Sequence, residues 1–189
     1  MIIRKAKEND CMGIALCISE GFEKDFSILC KNTDNVARAI SGGIIIDKFY
    51  VAELNNEIVG VLAISDCNGR AILTDTSLYK KYFGFIKGII AKLVLKEEFE
   101  SVLNYPETTG YIEFVSVKNK FRRKGIATNL IKESLKLSNY NDYVLDVTDI
   151  NTSAYNCYKN IGFKEFDRIK EKHGKQKGFN EKIYMKYDE

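Results

Sequence analysis

The chain has 189 residues, 45% of them hydrophobic and 29% charged, with 29 cations against 26 anions and a formal net charge of +3. That size and balance suit one globular domain, residues 1–189, with a full core, and exclude a disordered or fibrous chain. So mild a net charge implies no nucleic-acid partner by itself, and local clusters carry more information than the total.

In chain order, residues 2–7 read as a first strand. Asn9 or Asp10 can then cap a helix that puts Cys11, Ile14, Ala15, Ile18 and Phe22 on one face. A shorter helix is predicted over 32–40, ended by Gly42-Gly43. Residues 49–54 and 57–64 read as two strands joined at Asn55-Asn56, a pair that tolerates the positive φ of a tight hairpin turn. The stretch 65–110 is less regular. Residues 66–70 have loop composition, whereas 79–103 is apolar at helical spacing, with Tyr82, Ile86, Ile89 and Leu93 sharing a face. Lys81, Lys87, Lys92 and Lys96 interrupt that run, so the Gly84-x-x-x-Gly88 spacing does not make it a membrane-spanning dimer helix. It reads as a core or subunit-interface helix in preference to a membrane-surface one, and no membrane partner is expected.

The second half is patterned more clearly. Residues 111–117 alternate and are rich in β-branched and aromatic side chains, which predicts a strand. From Ile126 the positions Ala127, Leu130, Ile131, Ser134 and Leu135 fall three and four apart, on one face of a helix. Between strand and helix stand Arg122, Arg123, Lys124 and Gly125. A helix N-terminus there offers first-turn amides without intrahelical acceptors and the positive end of the dipole, so it can hold a phosphate or pyrophosphate. Residues 143–148 form a further strand, 151–160 a helix with Gly162 as its left-handed cap, and 163–168 and 182–187 two last strands.

Residue types narrow the chemistry. Five scattered cysteines (Cys11, Cys17, Cys30, Cys67, Cys157) without a C-x-x-C pair point to reduced thiols, with neither a disulfide framework nor a metal site expected. A single histidine, His173, lies in a polar run and argues against a Ser-His or Cys-His pair, leaving acid–base work to carboxylates, tyrosine or water. Arg4, Lys5 and Lys7 directly follow Met1-Ile2-Ile3, and no run of 18 apolar residues exists, so a cytoplasmic location is expected.

Arg122-x-x-Gly125-x-Ala127 after a strand, followed by Asn151-x-x-Ala154-x-x-x-Tyr158-x-x-x-Gly162-Phe163, resembles the GCN5-related N-acetyltransferase (GNAT) family, which uses acetyl-coenzyme A. The resemblance covers most of the chain and implies an α/β (α+β) domain. Its central mixed, mostly antiparallel sheet of about six to seven strands would be flanked by helices on both faces, with 65–110 as an unusually long helical insertion between strands 3 and 4. It further implies that Arg122, Arg123, Lys124, Gly125, Ile126, Ala127 and Thr128 receive the coenzyme's pyrophosphate. Val115, Ser116 and Val117 would run beside the pantetheine arm, the Val115 amide serving as an oxyanion donor. Tyr158 falls where the family carries its general acid, and Asn151 caps that helix or bonds the coenzyme. Two carboxylates compete as base for the acceptor amine, Glu113 and Asp146. Glu113 is ranked first because strand alternation puts 113, 115 and 117 on one face.

The reaction implied is direct attack of a primary amine, from a small molecule or a protein, on acetyl-coenzyme A, in a monomer or homodimer. The alternative is a coenzyme-A-binding module without turnover. Nucleic-acid binding through 118–124 lacks an aromatic platform beyond Phe121, and a Rossmann reading fails because only one glycine of G-x-G-x-x-G is present.

Overall fold

Alternating apolar side chains and well-placed turn residues build one seven-stranded sheet. Its strands are β1 (Ile2–Lys5), β2 (Phe49–Leu54), β3 (Glu57–Ser65), β4 (Thr109–Val117), β5 (Asp142–Thr148), β6 (Lys164–Lys170) and β7 (Glu181–Asp188). The computed structural model describes residues 1–188 and orders the strands β1-β2-β3-β4-β5-β7-β6. Among the described residues only β4 and β5 run parallel; every other neighbouring pair is antiparallel. The β2–β3 turn uses Asn55 and Asn56 at φ 51° and 61°, as the hairpin reading requires.

Helices cover both faces. On one lie α1 (Cys11–Gly21), α2 (Glu23–Phe26), α3 (Thr33–Ser41), α4 (Thr76–Phe83) and α5 (Phe85–Glu100), burying Ile14, Ile18, Ile40, Phe49 and Tyr79 in a common core. On the other lie α6 (Ile126–Leu137) and α7 (Thr152–Ile161), packed over Leu62, Leu130, Ile131, Leu145 and Phe163. A last single turn, α8 (Gly174–Lys177), sits between β6 and β7. Two caps match the sequence, the Asn32 side chain accepting from the Asn35 amide at 3.0 Å and Gly162 ending α7 at φ 124°, whereas Asp10 precedes α1 without a capping bond because its carboxylate accepts from Arg4 and the Lys7 amide.

Two local features depart from expectation. Phe114 takes φ 55°, and the β3–β4 register shifts between Val61 and Ala63. This bulge breaks the alternation that placed 113, 115 and 117 together. Glu113 instead faces the α1 side together with Phe114 and Ser116, whereas Val115 and Val117 face α6. Phe114 is held there by the rings of Phe22, Phe49 and Phe99, with centroids 5.5–6.4 Å away.

The second departure is α5. Its predicted inward face is the outward one: Ile86, Ile89 and Leu93 are 72%, 40% and 69% exposed. Gly88, Ala91, Leu95 and Phe99 pack inward, so the core reading of the predicted face does not hold. Small residues decide the side. A Cβ on Gly88 would lie 2.4 Å from the Lys80 backbone nitrogen, so only glycine lets α5 approach α4 this closely.

Candidate active site

Strands β4 and β5 pair at only three positions, Thr109↔Asp142, Gly110↔Tyr143 and Tyr111↔Val144. Past Tyr111, β4 bonds only to β3, and β5 only to β7. The facing edges therefore leave a wedge-shaped gap in mid-sheet, with Val115 on one side and Asp146 on the other. Unpaired strand edges present amide donors and carbonyl acceptors that an extended ligand can use.

At the open end of the gap the chain turns through Arg123 at φ 60° and Gly125 at φ 73° into α6. An added Cβ on Gly125 would meet nothing within 4 Å, so the space beside it is open. The first intrahelical bond is donated by Asn129 to the Gly125 carbonyl, which leaves the amides of Ile126, Ala127 and Thr128 pointing outward as orphan donors. Of the three cations singled out by sequence, Arg122 is committed elsewhere. Its Nε donates to the Val117 carbonyl at 3.0 Å and ties the loop to the end of β4. Lys124 lies over the Phe121 ring, 5.4 Å from its centroid.

Asn151 caps α7, accepting from the Ala154 amide at 3.2 Å. Ser116 points away from the gap and donates to the Cys17 carbonyl at 2.6 Å. Thr128 meets Cys157 at 3.3 Å, joining α6 to α7. Tyr158, on α7, is buried beside Phe163 with centroids 6.2 Å apart. Burial above all, and then the neighbouring Cys157 and Asp146, push its phenol well above the usual tyrosine value. It stays protonated across physiological pH.

The two carboxylates differ in their engagement. Glu113 accepts from Ser65 Oγ, from the Ala71 amide at 3.1 Å and from Arg70 through Nε at 2.9 Å and a second guanidinium nitrogen. It is almost fully buried, and so is Arg70. Asp146 accepts from the Tyr111 hydroxyl and meets Lys182 Nζ at 3.4 Å. Burial lowers the Lys182 pKa, but the charges of Asp146 and Glu98 outweigh it and the net shift is upward. Arg70 in turn stacks over Tyr111 at 5.2 Å, and Tyr105 stacks on the same ring at 6.0 Å. A polar chain thus runs Glu113–Arg70–Tyr111–Asp146–Lys182–Glu98 along the sheet.

Above that chain lies a cleft of about 320 Å³, walled by Glu97, Glu98, Val102, Tyr105, Phe166 and Tyr184 among others. It opens on the α5 side of the sheet, opposite α6. Sequence reading missed Arg70, Tyr111, Lys182 and Tyr184. Arg70 sits in a stretch of loop composition and finds Glu113 43 residues away, a pairing with no local signature.

A model of the Acetyltransferase (GNAT) family matches residues 44–163, which hold the gap, the Gly125 loop and α7. The chain belongs to the GNAT family. Among curated proteins, 63 residues are 36% identical to N-alpha-acetyltransferase 30 of Xenopus laevis, covering 32% of this chain and 23% of the frog protein. The human protein of that name matches at the same identity over 17% of its length. The matched segment is thus a quarter or less of these relatives. An N-acetyltransferase from Staphylococcus aureus Mu50 superposes with a TM-score of 0.65 over 99% of this chain and 100% of its own, at 15% identity, a likeness of fold alone. GNAT membership makes the chain an acyltransferase-family protein, and no described helix is long and apolar enough to cross a membrane.

Proposed function

We propose that this GNAT protein transfers the acetyl group of acetyl-coenzyme A to a primary amine by direct attack, within the single domain. The observation that carries the reading is the gap between β4 and β5 leading to an open Gly125 and three unpartnered amides. An extended pantetheine arm fits the strand edge, and a pyrophosphate fits the helix start. In this reading Arg123 and Lys124 add charge beside the pyrophosphate, while Arg122 fixes the loop. Asn151 positions α7 through its cap.

The coenzyme supplies an activated thioester; the chain supplies position and protons. The Val115 amide, within the bulge on the strand that borders the gap, stabilises the oxyanion. Tyr158, kept protonated by burial, donates to the leaving thiolate, a transfer typically worth about 10²–10⁴ in rate. Of the carboxylates, Asp146 is the better base. It has two partners where Glu113 has four donors, it lies on the strand edge beside the gap, and both partners, Tyr111 and Lys182, line the cleft where the amine would enter. Glu113 then acts by holding Arg70 against the Tyr111 ring.

The test is thiol release from acetyl-coenzyme A against a panel of small amines and peptide N-termini. Release that depends on one amine class supports transfer. Tight coenzyme binding without release for any amine supports a binding module instead.

A further inference from the structure

Helix α5 carries two apolar faces on opposite sides. At about 100° per residue, Gly88, Ala91, Leu95 and Phe99 fall on the side that packs inward. Phe85, Ile86, Ile89, Ile90, Leu93 and Val94 fall on the other, where they are 68%, 72%, 40%, 48%, 69% and 56% exposed. Those exposures amount to roughly 600 Å² of contiguous apolar surface, at the upper end of the ~300–600 Å² typical of a monomer's largest patch. Lysines occupy both seams between the faces: Lys87 along one edge of the stripe, Lys92 and Lys96 along the other. Lys80 and Lys81 stand just before its start. Among the described residues none of these five forms an ion pair.

We infer that α5 lies in the surface of an anionic lipid bilayer, with its outward apolar stripe immersed among the acyl chains and its lysines on the phosphates. Charge favours this occupant: residues 80–96 carry no carboxylate and five lysines, all of which a bilayer of net negative charge neutralises. Lysine stems along the edges of a buried stripe keep apolar carbons in the membrane and ammonium groups at the headgroups. The carboxylates of α5 are confined to its last turn: Glu97 and Glu100 follow the stripe on its own side and mark where immersion ends, Glu98 reaches Lys182, and Glu100 bonds Thr74. Because Glu97 and Glu98 also border the cleft, docking would set the cleft mouth close to the lipid surface. The inference stands apart from the proposed transfer reaction and does not depend on it.

The chain has no tryptophan, so Leu93→Trp gives a single reporter on the stripe. With the full chain, phosphatidylglycerol-containing vesicles should shift its emission to the blue and carry the protein in flotation, while pure phosphatidylcholine vesicles should do neither. Lys87→Gln with Lys92→Gln should weaken vesicle affinity by about fivefold per lysine, and more salt should weaken it further. Ile86→Ser with Leu93→Ser should weaken it by roughly tenfold or more. All four side chains are exposed, so melting curves should stay close to the parent's. Absence of binding to anionic vesicles at low salt overturns the inference, as does binding that ignores these substitutions. A stable dimer in sedimentation that Ile86→Ser with Leu93→Ser dissociates assigns the face to a second copy and overturns it too.

Discussion

Removing the Glu113 carboxylate separates a structural ion pair from a catalytic base. Glu113→Ala leaves the Arg70 guanidinium, whose side chain is 10% exposed, without its counter-ion, and leaves the Ala71 amide and Ser65 hydroxyl without an acceptor. Breaking a buried pair from one side costs about 3–5 kcal/mol, because the surviving charge stays desolvated. Against a total stability of roughly 5–15 kcal/mol that is a large fraction. At ~2–4 °C per kcal/mol for a chain of this size, the melting temperature should fall on the order of 10 °C. Glu113→Gln keeps the volume and one acceptor and should lose less. Calorimetry gives the melting temperature, and turnover of the folded fraction well below the transition gives the chemistry. The expected result is a strongly destabilised protein whose folded fraction keeps kcat within about tenfold, since the proton transfer at stake is otherwise worth ~10²–10⁴. A Glu113→Ala variant that melts with the parent but has lost turnover would refute the reasoning and return Glu113 to the role of base.

Three more outcomes are expected. Tyr158→Phe should lower kcat by about 10²–10⁴ with coenzyme affinity unchanged in calorimetric titration, and the parent's kcat should show no alkaline loss from this phenol up to the ordinary tyrosine value near ~10. Gly125→Val should weaken coenzyme binding in the same titration, because its side chain would occupy the open space beside the orphan amides; its φ of 73° adds strain of roughly 1–2 kcal/mol, visible as a lower melting temperature. The Asp10 carboxyl is held below its ordinary value chiefly by hydrogen bonds from Arg4, so it stabilises the fold above the unfolded pKa and loses that contribution as pH falls through its own. Arg4→Ala should accordingly cost stability in neutral-pH denaturation curves and progressively less below the usual aspartate value of ~3.9.

Local chemistry made much of this legible in advance. Turn and cap residues such as Asn32, Asn55-Asn56 and Gly162 sit where backbone geometry needs them, and the spacing from Arg122 to Phe163 marks loop, helix, strand and helix. What sequence did not reveal depends on contacts far apart in the chain. Phe114 takes a positive φ that no local rule assigns to phenylalanine; three rings, Phe22 between α1 and α2, Phe49 on β2 and Phe99 on α5, hold it there, and Glu113 changes face as a result. The two sides of α5 were interchanged because both are apolar, and the close approach at Gly88, not hydrophobicity, selects the buried one. Arg70 had no periodic context at all. Its place in the site follows from a partner on a strand 43 residues later.

The three-pair junction between β4 and β5 also divides the sheet into two leaves. One leaf holds β1 to β4, the other β5, β7 and β6, and Thr109, Gly110 and Tyr111 are where β4 joins them. Any ligand chain that bonds both free edges acts as a clasp across the leaves. Its grip adds to their registry as well as to its own affinity.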